Sequence, residues 1–327
     1  MTIKHVVTGL FAGIVFLLGA SAWAAEGPSA ATQPVYAKKA ELTCMKCHDS
    51  APVTDILKTP HAMKADSRTP FAEHACETCH GASPEHIASA ARVSEGEKPV
   101  MPAVLFTGKD ASPVEVRNKV CLSCHDEGMR VDWQGSQHES NNVACTNCHT
   151  IHRDKDPVLV KATQPEKCFT CHSKQRAESF EFSHHPIREG KVVCSDCHNP
   201  HGSAGPTLLK EFTVNDTCYN CHPEKRGPFL WEHEPARDNC SNCHTPHGST
   251  QARLLTERPP FLCNECHQEG DHQISPWSGN VTLGVNANIA GTLTQGAAAT
   301  QMLARGCVNC HSQVHGSNSQ AGAFLTR

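Results

Sequence analysis

Residues 194–202 read CSDCHNPHG and place two thiols and two imidazoles within nine positions. That is enough to close one tetrahedral metal site, or to begin something larger. The rest of the chain decides between these. All 20 cysteines fall into ten Cys-x-x-Cys pairs, and a histidine follows every pair at once. The ten motifs are Cys44/Cys47/His48, Cys76/Cys79/His80, Cys121/Cys124/His125, Cys145/Cys148/His149, Cys168/Cys171/His172, Cys194/Cys197/His198, Cys218/Cys221/His222, Cys240/Cys243/His244, Cys263/Cys266/His267 and Cys307/Cys310/His311. C-x-x-C-H is the attachment signature of c-type haem, in which two thioether bonds hold the porphyrin and the adjacent imidazole ligates the iron. Zinc ribbons and disulfide scaffolds also use paired cysteines, but neither needs the histidine. With 23 histidines in 327 residues, ten coincidences in ten pairs have a chance on the order of 10⁻¹². The expected cofactors are therefore ten c-type haems, covalently attached.

The amino terminus carries Lys4 and His5, then VVTGLFAGIVFLLGA and SAWAAEG. The short apolar run ends in a small-x-small site at Ala22 and Ala24, which marks residues 1–24 as a removed signal peptide and places haem attachment outside the cytoplasm. Residues 25–43 are a lead segment and 44–327 the haem-bearing domain. No later stretch is long and apolar enough for a transmembrane helix. Signal removal leaves 28 basic against 33 acidic residues, a balance that argues against a nucleic-acid partner.

About 30 residues per haem cannot build an ordinary apolar core. Aromatics are 5% of the chain, and 21 prolines and 22 glycines interrupt it. The expected fold is an extended, haem-packed multihaem cytochrome c, with short α-helices at and after the motifs, loops between them and little or no β-sheet.

The remaining histidines repeat with the motifs. Five units begin at Cys44, Cys121, Cys168, Cys218 and Cys263, each reading motif, lone His, motif, trailing His. The lone histidines His61, His138 and His185 each lie 13 residues after the first motif's His, with His233 at 11 and His272 at 5. The trailing histidines His152, His201 and His247 lie 3 residues after the second motif's His, with His86 at 6 and His315 at 4. These ten supply one distal iron ligand per haem, opposite the ten proximal motif histidines. His184 and His74 stand outside the repeat.

His201 cannot reach the far face of the haem that His198 holds, because residues three apart on a turn project to one side with Cβ atoms about 5–6 Å apart. It must ligate a different haem, which brings the two irons within roughly 10–15 Å. The mature methionines Met45, Met63, Met101, Met129 and Met302 occupy no recurring place, so bis-histidine iron is expected throughout. Such iron has no open position for a substrate, which points to an electron carrier and leaves no catalytic residues to name.

VNDTCYNCHPEKRGPFLWEHEPARDNCSNCHTPHGS (residues 214–249), CSDCHNPHGS (194–203) and CVNCHSQVHGSN (307–318) resemble the periplasmic decahaem cytochromes of outer-membrane porin-cytochrome conduits, the MtrA/DmsE/PioA type. The likeness runs from about Cys44 to Arg327. It implies a Gram-negative periplasmic protein that sits in an outer-membrane β-barrel porin. Such a protein passes electrons between periplasmic cytochromes and a cell-surface multihaem cytochrome or reductase, in anaerobic respiration with extracellular metal oxides, dimethyl sulfoxide or iron. Family members are described as two pentahaem halves, against the five dihaem units of the repeat. Two other classes stand beside this one: a freely diffusing periplasmic shuttle, and a reductase with one open haem, for which the last unit with the irregular His272 is the place to look. Two long insertions, 81–120 and 278–306, interrupt the repeat.

Overall fold

The computed structural model describes residues 33–94, 96–267, 307–320, 322 and 324–326. The signal segment, His272 and the 278–306 insertion lie outside the described residues. The chain divides into two units, Met1–Val35 and Tyr36–Arg327, and the second carries all ten motifs.

Twelve short α-helices are described: α1 (Ala40–Cys44), α2 (Cys76–His80), α3 (Pro84–Ala90), α4 (Val114–Leu122), α5 (Gln137–Ser140), α6 (Cys145–Cys148), α7 (Gln164–Phe169), α8 (Ser173–Glu178), α9 (Cys194–Cys197), α10 (Val214–Tyr219), α11 (Glu234–Asp238) and α12 (Phe261–Asn264). Among the described residues there is no strand, only isolated antiparallel bridges such as Ser183 with Ser249 and Trp231 with Ser317. The expectation of short helices and loops without a sheet holds.

Helix placement differs from expectation in one respect. The first motif of each unit comes at the end of a helix (α1, α4, α7, α10, α12), whereas the second motif starts a helix or 3₁₀ turn at its own first cysteine. In two of these second motifs the residue before the second cysteine fixes the turn. Asn147 Oδ1 accepts from Ala144 N–H at 2.7 Å, and Asp196 Oδ2 from Val193 N–H at 2.9 Å, so each caps the turn on which its motif sits. In α10 the capping oxygen is Thr213 Oγ1, which accepts from Asp216 N–H at 3.0 Å.

Only Ala40, Phe71, Ala75, Trp133, Ala144 and Val193 form a buried apolar set among the described residues. Ala40, Phe71 and Ala75 cluster beside the first motifs. In place of a core, one continuous cleft of about 4900 Å³ touches all ten motifs. The 81–120 insertion folds back on it: His80 Nδ1 bonds the Val104 carbonyl at 3.0 Å, and Arg117 holds the Phe106 and Ser112 carbonyls.

Candidate haem sites

Each motif closes one helical turn. The histidine N–H donates to the first cysteine's carbonyl at 2.9 Å in His125, His149, His198, His222 and His267, and at 3.0 Å in His48, His172 and His244. This turn sets two sulfurs and an imidazole on one side. None of the 20 cysteines forms a disulfide. Within each unit the first cysteines of the two motifs lie close enough to perturb one another: Cys44 with Cys76, Cys121 with Cys145, Cys168 with Cys194, Cys218 with Cys240 and Cys263 with Cys307.

Every motif cysteine but Cys47 lines the cleft. Cys47 is exposed, as are Cys124, Cys171, Cys221, Cys266 and Cys310. Second cysteines approach one another across successive units, Cys79 with Cys124, Cys148 with Cys171, Cys197 with Cys221 and Cys243 with Cys266.

The imidazoles pair across the cleft with a constant spacing. First-motif histidines face the lone histidine of the preceding unit: His125 with His61 at 5.9 Å between ring centroids, His172 with His138 at 6.1 Å, His222 with His185 at 6.4 Å and His267 with His233 at 6.2 Å. Second-motif histidines face the trailing histidine of the following unit: His80 with His152 at 6.3 Å, His149 with His201 at 6.0 Å, His198 with His247 at 6.2 Å and His244 with His315 at 6.1 Å. At the amino-terminal end His48 faces His86 of its own unit at 6.3 Å. Direct ring stacking needs far less separation. One metal ion bound by a nitrogen of each ring at about 2.0–2.1 Å puts the centroids about 6 Å apart, so the pairs fit an iron between them. Of the expected ligands this leaves His311, at the carboxy-terminal end of the cleft, and His272.

Hydrogen bonds orient these rings. His138, His185 and His233 give Nδ1–H to the carbonyls of Pro200, Pro246 and Val314 at 2.7, 2.6 and 2.8 Å. Each of those carbonyls belongs to the residue just before a trailing histidine, so the recurring PHGS and VHGS strings serve two histidines at once. Their glycine admits a neighbouring backbone: a Cβ on Gly202 would sit 2.0 Å from the Asp132 carbonyl oxygen, and one on Gly248 would sit 1.8 Å from that of Glu178. Proximal His198 and His244 donate to Thr207 and Arg253 at 3.0 and 2.9 Å. Those carbonyls are turned inward by left-handed pairs, Thr207 and Leu208 (φ 51° and 61°) and Arg253 and Leu254 (φ 62° and 57°), a conformation costly for residues with a Cβ. In each such ring Nδ1 is taken and Nε2 is left for the partner side.

Burial lowers the pKa of His61, His80, His125, His198, His247 and His315, and holds His201 down to about 4 with help from neighbouring His149. The neutral imidazole is the metal-ligating form. The two histidines outside the repeat behave differently. His184 uses both nitrogens, Nδ1 on the Glu181 carbonyl at 2.8 Å and Nε2 on Glu189 at 3.3 Å. His74 stacks on Tyr36 with centroids 3.7 Å apart and planes 4° apart.

Sequence reasoning missed a set of buried clamps. Asn118 Oδ1 accepts from Cys145 N–H at 2.9 Å and Asn215 Oδ1 from Cys240 N–H at 2.7 Å, so each ties the two motifs of its unit together. The signal was present as N-x-x-C-x-x-C-H at 118–125 and 215–222. Asn215 also donates to Arg237 at 2.8 Å and Ala236 at 3.1 Å and is 5% exposed. Asn215→Ala is expected to cost about 1–3 kcal/mol by stranding these groups. Calorimetry should show the haem-loaded protein melting lower by about 2–4 °C per kcal/mol. An unchanged melting temperature would remove the clamp role.

Residues 184–227 and 233–272 match a family described as the doubled CXXCH motif. Residues 76–164 match one described as cytochrome c-type protein NrfB-like. The multiheme cytochrome MtrA of Shewanella baltica (strain OS185) is 42% identical over 293 residues, covering 89% of this chain and 83% of that protein. The cytochrome c-type protein NrfB of Haemophilus influenzae (strain ATCC 51907 / DSM 11121 / KW20 / Rd) is 28% identical over 130 residues, covering 37% of this chain and 54% of that protein. With motifs that bind haem covalently and this extent of likeness, the chain is an electron-transfer protein and belongs to the MtrA family of multihaem c-type cytochromes.

Proposed function

We propose that the chain is a decahaem wire that carries electrons across the outer membrane inside a β-barrel porin. It would connect periplasmic redox carriers with a cell-surface partner or an extracellular acceptor or donor. The observation that carries this reading is the pairing of imidazoles between successive units: a lone histidine reaches forward to the next unit's first-motif histidine, and a trailing histidine reaches back to the previous unit's second-motif histidine. An iron held this way has neighbours on both sides along the chain. In this reading the ten motif histidines are proximal ligands, and His61, His86, His138, His152, His185, His201, His233, His247, His272 and His315 are distal. The haem domain, 44–327, is five dihaem units joined by that exchange.

Haem iron supplies the one-electron Fe(III)/Fe(II) couple. The facing imidazoles would hold each iron from both sides, and several of these rings, among them His138, His185, His198, His233 and His244, have Nδ1–H tied to a backbone carbonyl. A barrel's apolar band is about 25 Å tall, a height that a few closely spaced haems cross. The surrounding barrel would also shield irregular backbone that lipid does not tolerate.

The test joins pyridine haemochrome quantification to low-temperature EPR and near-infrared magnetic circular dichroism on the oxidised protein. Ten haems per chain, all low-spin with bis-imidazole charge transfer, are expected. A high-spin fraction near one haem in ten would instead support an open, reactive haem. Co-purification with an integral outer-membrane protein is expected for the conduit. A protein recovered wholly free in the periplasm would be the shuttle.

A further inference from the structure

The five second-motif histidines are placed alike in the repeat but are not held alike. His80, His198, His244 and His311 each give Nδ1–H to a backbone carbonyl, of Val104, Thr207, Arg253 and Phe324. His149 gives it to a carboxylate, Asp156 Oδ2, at 2.7 Å. The other oxygen of Asp156 accepts from Thr150 N–H at 3.2 Å and Val158 N–H at 3.4 Å, so the carboxylate is clamped in place, and its side chain is 12% exposed. Where units three and four turn a strained backbone carbonyl toward the ring, unit two brings a negative charge.

Two other carboxylates lie near candidate ligands. Glu178 is 3.3 Å from His247 Nδ1 and Glu224 is 3.7 Å from His222 Nδ1. Each is shared with a lysine, Lys174 at 3.6 Å and Lys225 at 3.7 Å, which offsets its charge, and both distances exceed that of a strong charged hydrogen bond. Across from His149, the Nδ1 of His201 is buried without a hydrogen-bond partner. The positive charge of Arg130 acts on that side, but Arg130 is committed to the His125 carbonyl at 3.1 Å. It does not touch the ring as Asp156 touches His149. The pair is therefore electronically lopsided, with one imidazole made strongly basic by a charged acceptor and the other without one.

We infer that Asp156 is a positioning and tuning residue that makes the haem attached at Cys145 and Cys148 a low-potential step in the chain. The inference rests on the proposed ligation of that haem by His149. A carboxylate drawing on Nδ1–H raises the electron density of the ligating Nε2 and favours Fe(III) over Fe(II). The step concerned is transfer of one electron from a neighbouring haem, reducing Fe(III) to Fe(II), with the proton staying on Nδ1 throughout.

Spectroelectrochemical titration of the full haem-loaded protein, followed by EPR of the low-spin signals, tests this with Asp156→Asn and Asp156→Glu. In the Asn variant one haem is expected to titrate at higher potential, with its Fe(II)/Fe(III) ratio at fixed potential raised about tenfold, the factor that separates a charged from a neutral hydrogen-bond partner. That is about 59 mV for a one-electron couple. The Glu variant keeps the charge and is expected to stay close to the native titration. An Asn variant that titrates as the native protein does overturns the inference, and so does a Glu variant shifted as far as Asn, which would mean that Asp156 only holds the loop. Native protein lacking the bis-imidazole signature would fail the ligand reading itself, visibly before any variant is made.

Discussion

Produced without haem attachment, the chain is expected to remain unfolded, with no cooperative melt and the far-ultraviolet circular dichroism of a disordered polypeptide. Six buried apolar residues are described, three of them alanine. At about 1.5–3 kcal/mol for a large buried side chain, Phe71, Trp133 and Val193 together contribute under about 10 kcal/mol. Ordering the backbone costs about 1–2 kcal/mol per residue, and the described haem domain runs to well over two hundred residues. The helices are no help alone, because the longest, α4, has nine residues and isolated helices below about 12–15 residues are marginal in water. The porphyrins must supply the missing apolar contact. A cooperative thermal transition in haem-free chain would overturn this account.

The second large effect concerns His201. His201→Ala is expected to convert one haem to a high-spin, five-coordinate state, and that haem should be the one bound at Cys145 and Cys148 rather than the one at Cys194 and Cys197 beside it in sequence. The ring of His201 lies 6.0 Å from that of His149 with planes 10° apart, while His198 faces His247 at 6.2 Å. The assignment is read by combining His201→Ala with loss of either attachment site. When Cys145 and Cys148 are both changed to Ser, the high-spin signal should vanish, since its haem is gone. When Cys194 and Cys197 are changed instead, it should persist. Interacting sites reveal themselves by such non-additivity, and the reverse pattern would refute the exchange between units.

Much of this was legible beforehand because attachment is local. C-x-x-C-H fits in a single turn, so ten motifs could be read without knowing any long-range contact, and the shortage of apolar residues per motif already excluded an ordinary core. The offset of three put His201 on the same side as His198 and so pointed it elsewhere, and in the structure its ring faces that of His149. The destination was hidden, because His149 and His201, or His61 and His125, are brought together by the path of the chain and by no local pattern. His86 broke the trailing rule for a reason visible only in three dimensions: the first unit has no predecessor, and His86 turns to His48. The choice of His185 over its neighbour His184 rested on spacing alone; in the structure His184 spends both nitrogens on Glu181 and Glu189, and His185 faces His222. Asp156 stayed unnoticed because a single Asp carries no spacing signal unless its partner is known, and Asn215 because the N-x-x-C-x-x-C-H spacing, which recurs at 142–149, says nothing of its contact with Cys240.

The forward and backward gift of one imidazole per unit gives every interior joint the same two contacts, while the amino-terminal end is sealed by a histidine folded onto its own unit. A chain built this way resembles a linear polymer with identical couplings and distinct end groups, in which neighbours interact only with neighbours. Its length can therefore change by whole units. Duplicating residues 168–217 would add one unit whose outgoing and incoming histidines both find acceptors, and excising them would rejoin the flanks without an orphan ligand. Adding or removing a single motif would instead leave one histidine without a facing ring.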